Sequence, residues 1–177
     1  MARKTQRLTA LGLCAALGLT LSYLEALLPP LYPTIPGIKL GLANLVILFV
    51  LYRFDFGSAA LVSAVRLGAM TLLFGSVPAL IYSASGSALS LILMGILKRT
   101  NWFSPVGVSV LGGVSHNAGQ ILAAMGMLQT GAVVAYLPML TITGTLAGAL
   151  VGLLGAALLK KTEGLPLDIK KERGDRS

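Results

Sequence analysis

Residues 135 to 159 read AYLPMLTITGTLAGALVGLLGAALL, a run without a single charged side chain, closed by Lys160 and Lys161. Roughly 20 mainly apolar residues carry a helix across the hydrocarbon core of a bilayer, and this run supplies them. Within it Gly144, Gly148, Gly152 and Ala156 recur at every fourth position. On a helix that spacing makes a smooth stripe where a second backbone can approach closely, so tight packing inside one bundle is expected.

Outward from this run the pattern repeats. Apolar stretches at 8–28, 38–52, 57–75, 78–97 and 104–128 are separated by short breaks holding charge, Pro or Gly, and the stretch 38–52 is short for a full crossing. Hydrophobic residues make up 55% of the chain and charged ones 11%, with a mean hydropathy of +0.84. Those values exclude an ordinary soluble domain of this size. The expected fold is all-α: a polytopic integral membrane protein of about six transmembrane helices, forming a single domain over residues 1–162. The first stretch follows Arg3, Lys4 and Arg7 as a signal peptide would, but it runs to Leu28 without a small-residue cleavage site and reads as a permanent span.

Charge gives an orientation. In a six-span arrangement Arg3, Lys4, Arg7, Arg53, Lys98, Arg99, Lys160 and Lys161 all fall on one side, so both termini are expected in the cytoplasm and the protein in the cell membrane. The formal net charge of +8 comes almost entirely from these positions; it reports topology and contact with anionic lipid, not nucleic-acid binding. Residues 163–177 mix charges with Gly164, Pro166 and Gly174, lack an apolar face, and read as a basic, disordered cytoplasmic tail. Pro29, Pro30, Pro33 and Pro36 make the first connection a stiff, non-helical cap on the outer side.

Ionisable groups inside a span are costly and mark function, and here they are few. Glu25 lies in the outer half of the first span, roughly 25 Å from its inner start. Lys39 opens the second span from the outside and Asn44 follows one to two turns further in, so an ion pair between Glu25 and Lys39 and a shared outer cavity are both open readings. Arg66 sits near mid-depth in the third span, where the guanidinium needs acceptors; with no carboxylate expected at its level, these are hydroxyls, freed carbonyls or an anionic ligand. In the fifth span His116, Asn117 and Gln120 share one helical face as the most polar patch in the membrane. The fourth span adds Tyr82, Ser83, Ser85, Ser87 and Ser90, as a cavity wall or as contacts between helices. One His with amides lacks a metal ligand set, and the single cysteine, Cys14, excludes an internal disulfide or a Cys-based cluster, so no metal or cofactor is expected. Structural hydrogen bonding accounts for these polar groups as well as a ligand does, but together they suggest a pocket opening outward.

The strings GIKLGLANLVILFVLY (37–52), RLGAMTLLFGS (66–76) and GGVSHNAGQ (112–120) resemble the Gx transporters, a family also described as heptaprenyl diphosphate synthase component I. That family is similar to the S components of energy-coupling-factor transporters, six-helix proteins of the bacterial inner membrane that bind a vitamin-like substrate near the outer face. The resemblance implies an S-component-like bundle that binds a small molecule, in agreement with the outward pocket read from the polar residues, whose candidate contacts are Glu25, Lys39, Asn44, Arg66, His116, Asn117 and Gln120. It implies docking to a coupling transmembrane subunit through a small-residue stripe on the first helix, here Gly12 with Ala16 or Ala10 with Cys14, in place of two alanines. The chain has no GxxxxGK[ST] loop, so ATP-driven transport would need separate ATPase subunits. Asp55, Asp168 and Asp175 are isolated and form no Mg²⁺-binding cluster, so prenyl synthase catalysis by this chain is not expected. The alternative is a non-catalytic membrane subunit that assists prenyl diphosphate or quinone synthesis, or flavin-linked extracellular electron transfer.

Overall fold

A computed structural model describes residues 2–27, 41–74 and 77–164. They form six α-helices: α1 (Ala2–Leu27), α2 (Asn44–Arg53), α3 (Phe56–Phe74), α4 (Val77–Thr100), α5 (Pro105–Leu128) and α6 (Leu137–Lys161), with a 3-10 turn, Gly131–Tyr136, before α6. The proline-rich connection with Lys39 and most of the expected tail lie outside the described residues.

The helix ends follow local chemistry. Asp55 accepts from the backbone N–H of Ser58 at 2.7 Å and so caps α3. Ser104 caps α5 by accepting from Gly107 N at 3.2 Å, with Pro105 following it, and Gln129 ends that helix in the left-handed region at φ 48°.

Polarity is distributed inside out. Leu72, Leu146, Leu153, Ile142 and Leu61 are exposed on the bundle's outside, whereas Ser22, Glu25, Asn44, Arg66, His116 and Gln120 are buried. A water-soluble domain would reverse this, and a lipid-facing exterior explains it. Among the described helices α1, α3, α4 and α6 are long and apolar enough to cross a membrane. The 24-residue α5 has the length but carries the polar patch. The expected second span over 38–52 is corrected: helix begins only at Asn44, after a turn at 41–43 in which Gly41 takes φ +82°. Ten residues reach about 15 Å, half the hydrocarbon thickness.

That short helix is the hub. α1, α3, α4, α5 and α6 pack each on the next as an arc, and α2 touches all five from the inside. Leu48, Val50 and Leu51 are nearly inaccessible there, and the core also takes Leu11, Cys14, Val62, Met94 and Val108. The glycine stripe of α6 lies on α5: a Cβ at Gly144 would meet Gly113 O at 2.9 Å, one at Gly148 the carbonyl of Ser109 at 2.7 Å, and one at Gly152 the Cα of Val106 at 2.8 Å.

Contacts gather the basic residues at one end. Arg53 Nε donates to Thr162 Oγ1 at 3.2 Å, Lys98 donates to the Leu51 carbonyl and lies 5.0 Å from the Tyr52 ring centroid, and Arg7 pairs with Asp55. Desolvation opposes the charge on Asp55, but hydrogen bonds from the Ser58 N–H and hydroxyl together with Arg7 outweigh it, holding the carboxyl below its ordinary 3.8. The stabilisation from this charge is therefore present above pH 3.8 and is lost as pH falls through the lower, folded value. Asp55→Asn keeps a cap for Ser58 and removes the charge. It is expected to lower the unfolding temperature modestly at pH 7, and the gap should close in acid when both proteins are melted across a pH series in detergent.

Candidate functional site

Where α3 crosses α1, Gly18 has no side chain, and a Cβ there would lie 3.3 Å from Cδ of Arg66. The arginine stem passes through this gap and carries the guanidinium one turn along α1, away from the basic end. Nη1 donates to Ser22 Oγ at 2.8 Å and Nη2 to Ser87 Oγ at 3.1 Å, while Nε has no partner among the described residues. Arg66 is 8% exposed. The length of its side chain thus moves the charge by about a helical turn, 5.4 Å, from the level of its own Cα.

That displacement corrects the expectation that no carboxylate lies at the depth of Arg66. Glu25, three residues beyond Ser22 on the same face of α1, is 7% exposed and lines the same cavity as the guanidinium. Its Oε1 accepts from the backbone N–H of Gly41 at 2.6 Å. Gly41 lies in the non-helical turn before α2, and irregular backbone at membrane depth needs a protein partner for its polar groups. The carboxylate supplies one. A Cβ on Gly41 would lie 3.0 Å from the Asn44 amide nitrogen, so the positive φ and the close approach both require glycine.

Ser22, Glu25, Asn44, Arg66, Ser83 and His116 surround a cavity of about 30 Å³, completed by Gly41, Ser87 and two apolar residues of α3. That volume holds one or two water molecules. Of the expected site residues, then, Glu25, Asn44, Arg66 and His116 come together, while Lys39 lies outside the described residues. Sequence reasoning missed Ser22 and Gly41. The i, i+3 spacing of Ser22 and Glu25 was the available signal for the first.

The polar face expected from His116, Asn117 and Gln120 divides between two seams. Asn117 Nδ2 donates to the Leu140 carbonyl of α6 at 2.7 Å. Facing α4 instead, the His116 carbonyl and Gln120 Cγ would lie 2.8 and 2.9 Å from a Cβ at Gly86. The reason is geometric: α5 is packed on both sides, and the 100° step from 116 to 117 crosses from one neighbour to the other. Gln120 is 1% exposed, and neither atom of its amide has a partner among the described residues; the same is true of Ser90 Oγ on α4. Such atoms cost about 1–3 kcal/mol each when left unmade. Tyr82 packs with Ile121, Ala124, Val133 and Leu140 and does not line the cavity.

The two small-residue stripes of α1 also part. Cys14 is buried in the core with Ala10 against it, and Gly18 receives Arg66. Gly12 and Ala16 are exposed on the outer face, and nothing lies within 4 Å of a Cβ at Gly12.

In comparisons with known proteins, the family described as heptaprenyl diphosphate synthase component I matches residues 14–158. No curated protein and no solved structure matches the chain.

Proposed function

The chain belongs to the heptaprenyl diphosphate synthase component I family, and we propose that within it the protein is a membrane-embedded binding component for the uptake of a small polar molecule. The observation that carries this reading is the shared burial of Arg66 and Glu25 around one cavity, with an arginine Nε, and nearby a Gln120 amide, left without partners among the described residues. A bundle that needed only helix contacts gains nothing from such atoms, whereas a polar ligand would satisfy them. A metabolite is larger than the present cavity, so binding must widen it, with Gln120 and Asn44 joining the contacts.

In this proposal the basic end faces the cytoplasm together with both termini, and the cavity opens toward the opposite side. The chain performs no catalysis itself, and energy comes from coupling transmembrane and ATPase subunits. The open Gly12 and Ala16 face of α1 is the docking surface for them. Ala10 and Cys14 are turned inward and serve the core.

A thermal-shift survey of polar metabolites on the purified full chain tests the binding role. A ligand at one hundred times its Kd adds about 2.7 kcal/mol of stability. At least one compound is expected to raise the unfolding temperature of the wild type, and Gln120→Leu, similar in size and still folded, should lose that shift. A survey in which nothing stabilises the wild type, or in which Gln120→Leu responds equally, would reject the site.

The family description also names a component, which implies a partner subunit. The second reading is a non-catalytic membrane subunit supporting prenyl diphosphate synthesis, in which that partner would be a soluble synthase.

A further inference from the structure

A second cavity lies at the basic end, between the first turns of α1 and the start of α3. It is open, has a volume of about 340 Å³, and is lined by Lys4, Arg7, Leu8, Leu11, Ser58 and Leu61, with Asp55 and Gly57 at its rim. It shares no residue with the Arg66 cavity. Its walls are divided by chemistry: the two cations stand in the outermost turns of α1, and Leu8, Leu11 and Leu61 continue inward as an apolar wall. Leu8 and Leu61 are 69% and 54% exposed, so this wall opens on the lipid-facing side.

Arg7 is held ready for an anion. Its Nη2 donates to the Asp55 carboxylate and to Ser58 Oγ, the latter at 2.7 Å. The other donors of the guanidinium make no hydrogen bond to the described residues, so a fixed fork remains available. Lys4 adds a second, exposed cation, while Asp55 is the only acid among the described residues that line the cavity. Two cations against one carboxylate leave the mouth net positive. A charged mouth above an apolar wall is complementary to one class of molecule, an amphiphile with an anionic head and a hydrocarbon chain.

We propose that the cavity between α1 and α3 is a binding site for an anionic phospholipid of the surrounding membrane. The phosphodiester accepts hydrogen bonds from Arg7 and Lys4, and an acyl chain lies along Leu8, Leu11 and Leu61. General attraction of a basic surface to anionic lipid would act on headgroups alone. A built site also depends on the shape of the apolar wall, and that separates the two.

The test uses the full chain, stripped of lipid in detergent and titrated with phosphatidylglycerol or phosphatidylcholine of identical acyl chains, with bound lipid counted by native mass spectrometry. The wild type is expected to retain one phosphatidylglycerol per chain, about fivefold or more in preference to phosphatidylcholine. Lys4→Gln should erase most of that preference. Leu61→Trp fills the cavity from its lipid-exposed wall without touching the pair of Arg7 and Asp55, and should cut retention of phosphatidylglycerol several-fold at unchanged thermal stability. Leu8→Trp on the opposite helix is expected to act in the same way, so a misfolded Leu61→Trp would not leave the site unexamined. Equal retention of the two lipids by the wild type would overturn the site. So would undiminished phosphatidylglycerol binding in a folded tryptophan variant, or a tryptophan variant that changes the mass of the assembly while leaving the lipid count unchanged, which would make a protein the occupant.

Discussion

Gly148→Leu is expected to abolish the stable fold, or to lower its unfolding temperature more than any other single change considered. A Cβ at this position would lie 2.7 Å from the Ser109 carbonyl oxygen and from the Cα of Val110, both backbone atoms of α5. Side-chain overpacking in a core costs about 1–3 kcal/mol because neighbours can rotate away. Here no rotamer relieves the clash, so α5 and α6 must separate along the whole stripe and forfeit the close approaches at Gly113, Gly144 and Gly152. Gly12→Leu is the matched control, since nothing lies within 4 Å of a Cβ there. It should melt like the wild type in detergent while impairing any partner that docks on the open face of α1. Equal stability of the two variants would mean that the α5 and α6 seam is wrongly placed.

Arg66→Leu should destabilise the protein by about 1–3 kcal/mol, the usual cost of leaving buried hydrogen-bonding groups unsatisfied, here the hydroxyls of Ser22 and Ser87 that accept from the guanidinium. Glu25 lines the same cavity and its opposite charge acts on the guanidinium, so the change also removes a favourable charge interaction. The second change, Glu25→Gln, removes the carboxylate charge while its amide oxygen still accepts from Gly41. The two changes are therefore expected to cost less together than the sum of the single changes, and the double variant to lose ligand binding. A double-mutant cycle by chemical unfolding, paired with a ligand-retention assay, reads both quantities. Ligand binding retained in the double variant would reduce the pair to a helix clamp.

Much of the fold was legible in the sequence, because apolar runs of spanning length have no other economical explanation. The α6 stripe likewise announced itself by its four-residue period, since only glycine and alanine permit the backbone contacts found with α5. The start of α2 at Asn44 was hidden because nothing local distinguishes Leu42 or Ala43 from residues inside a span. What breaks the helix is the left-handed backbone of Gly41, and one glycine among 21 gives no such signal.

The site was legible in its residues and not in its pairings. Glu25, Asn44, Arg66 and His116 stood out because charged and amide groups are rare inside spans. Their meeting depended on a side chain long enough to carry charge along a neighbouring helix, and depth counted from Cα positions ignores that reach. Asn117 and Gln120 share a face of an isolated helix; with α4 on one side of α5 and α6 on the other, three residues serve two seams.

The measurement that bears most directly on the binding role is native mass spectrometry of the tagged protein extracted gently from its own membranes, recording bound small molecules and co-purifying subunits together. The expected spectrum shows one polar metabolite per chain, lost in the Arg66→Leu, Glu25→Gln double variant, in company with an ATPase module. A chain that carries no polar metabolite and instead brings down a prenyl synthase or a redox partner would contradict the account.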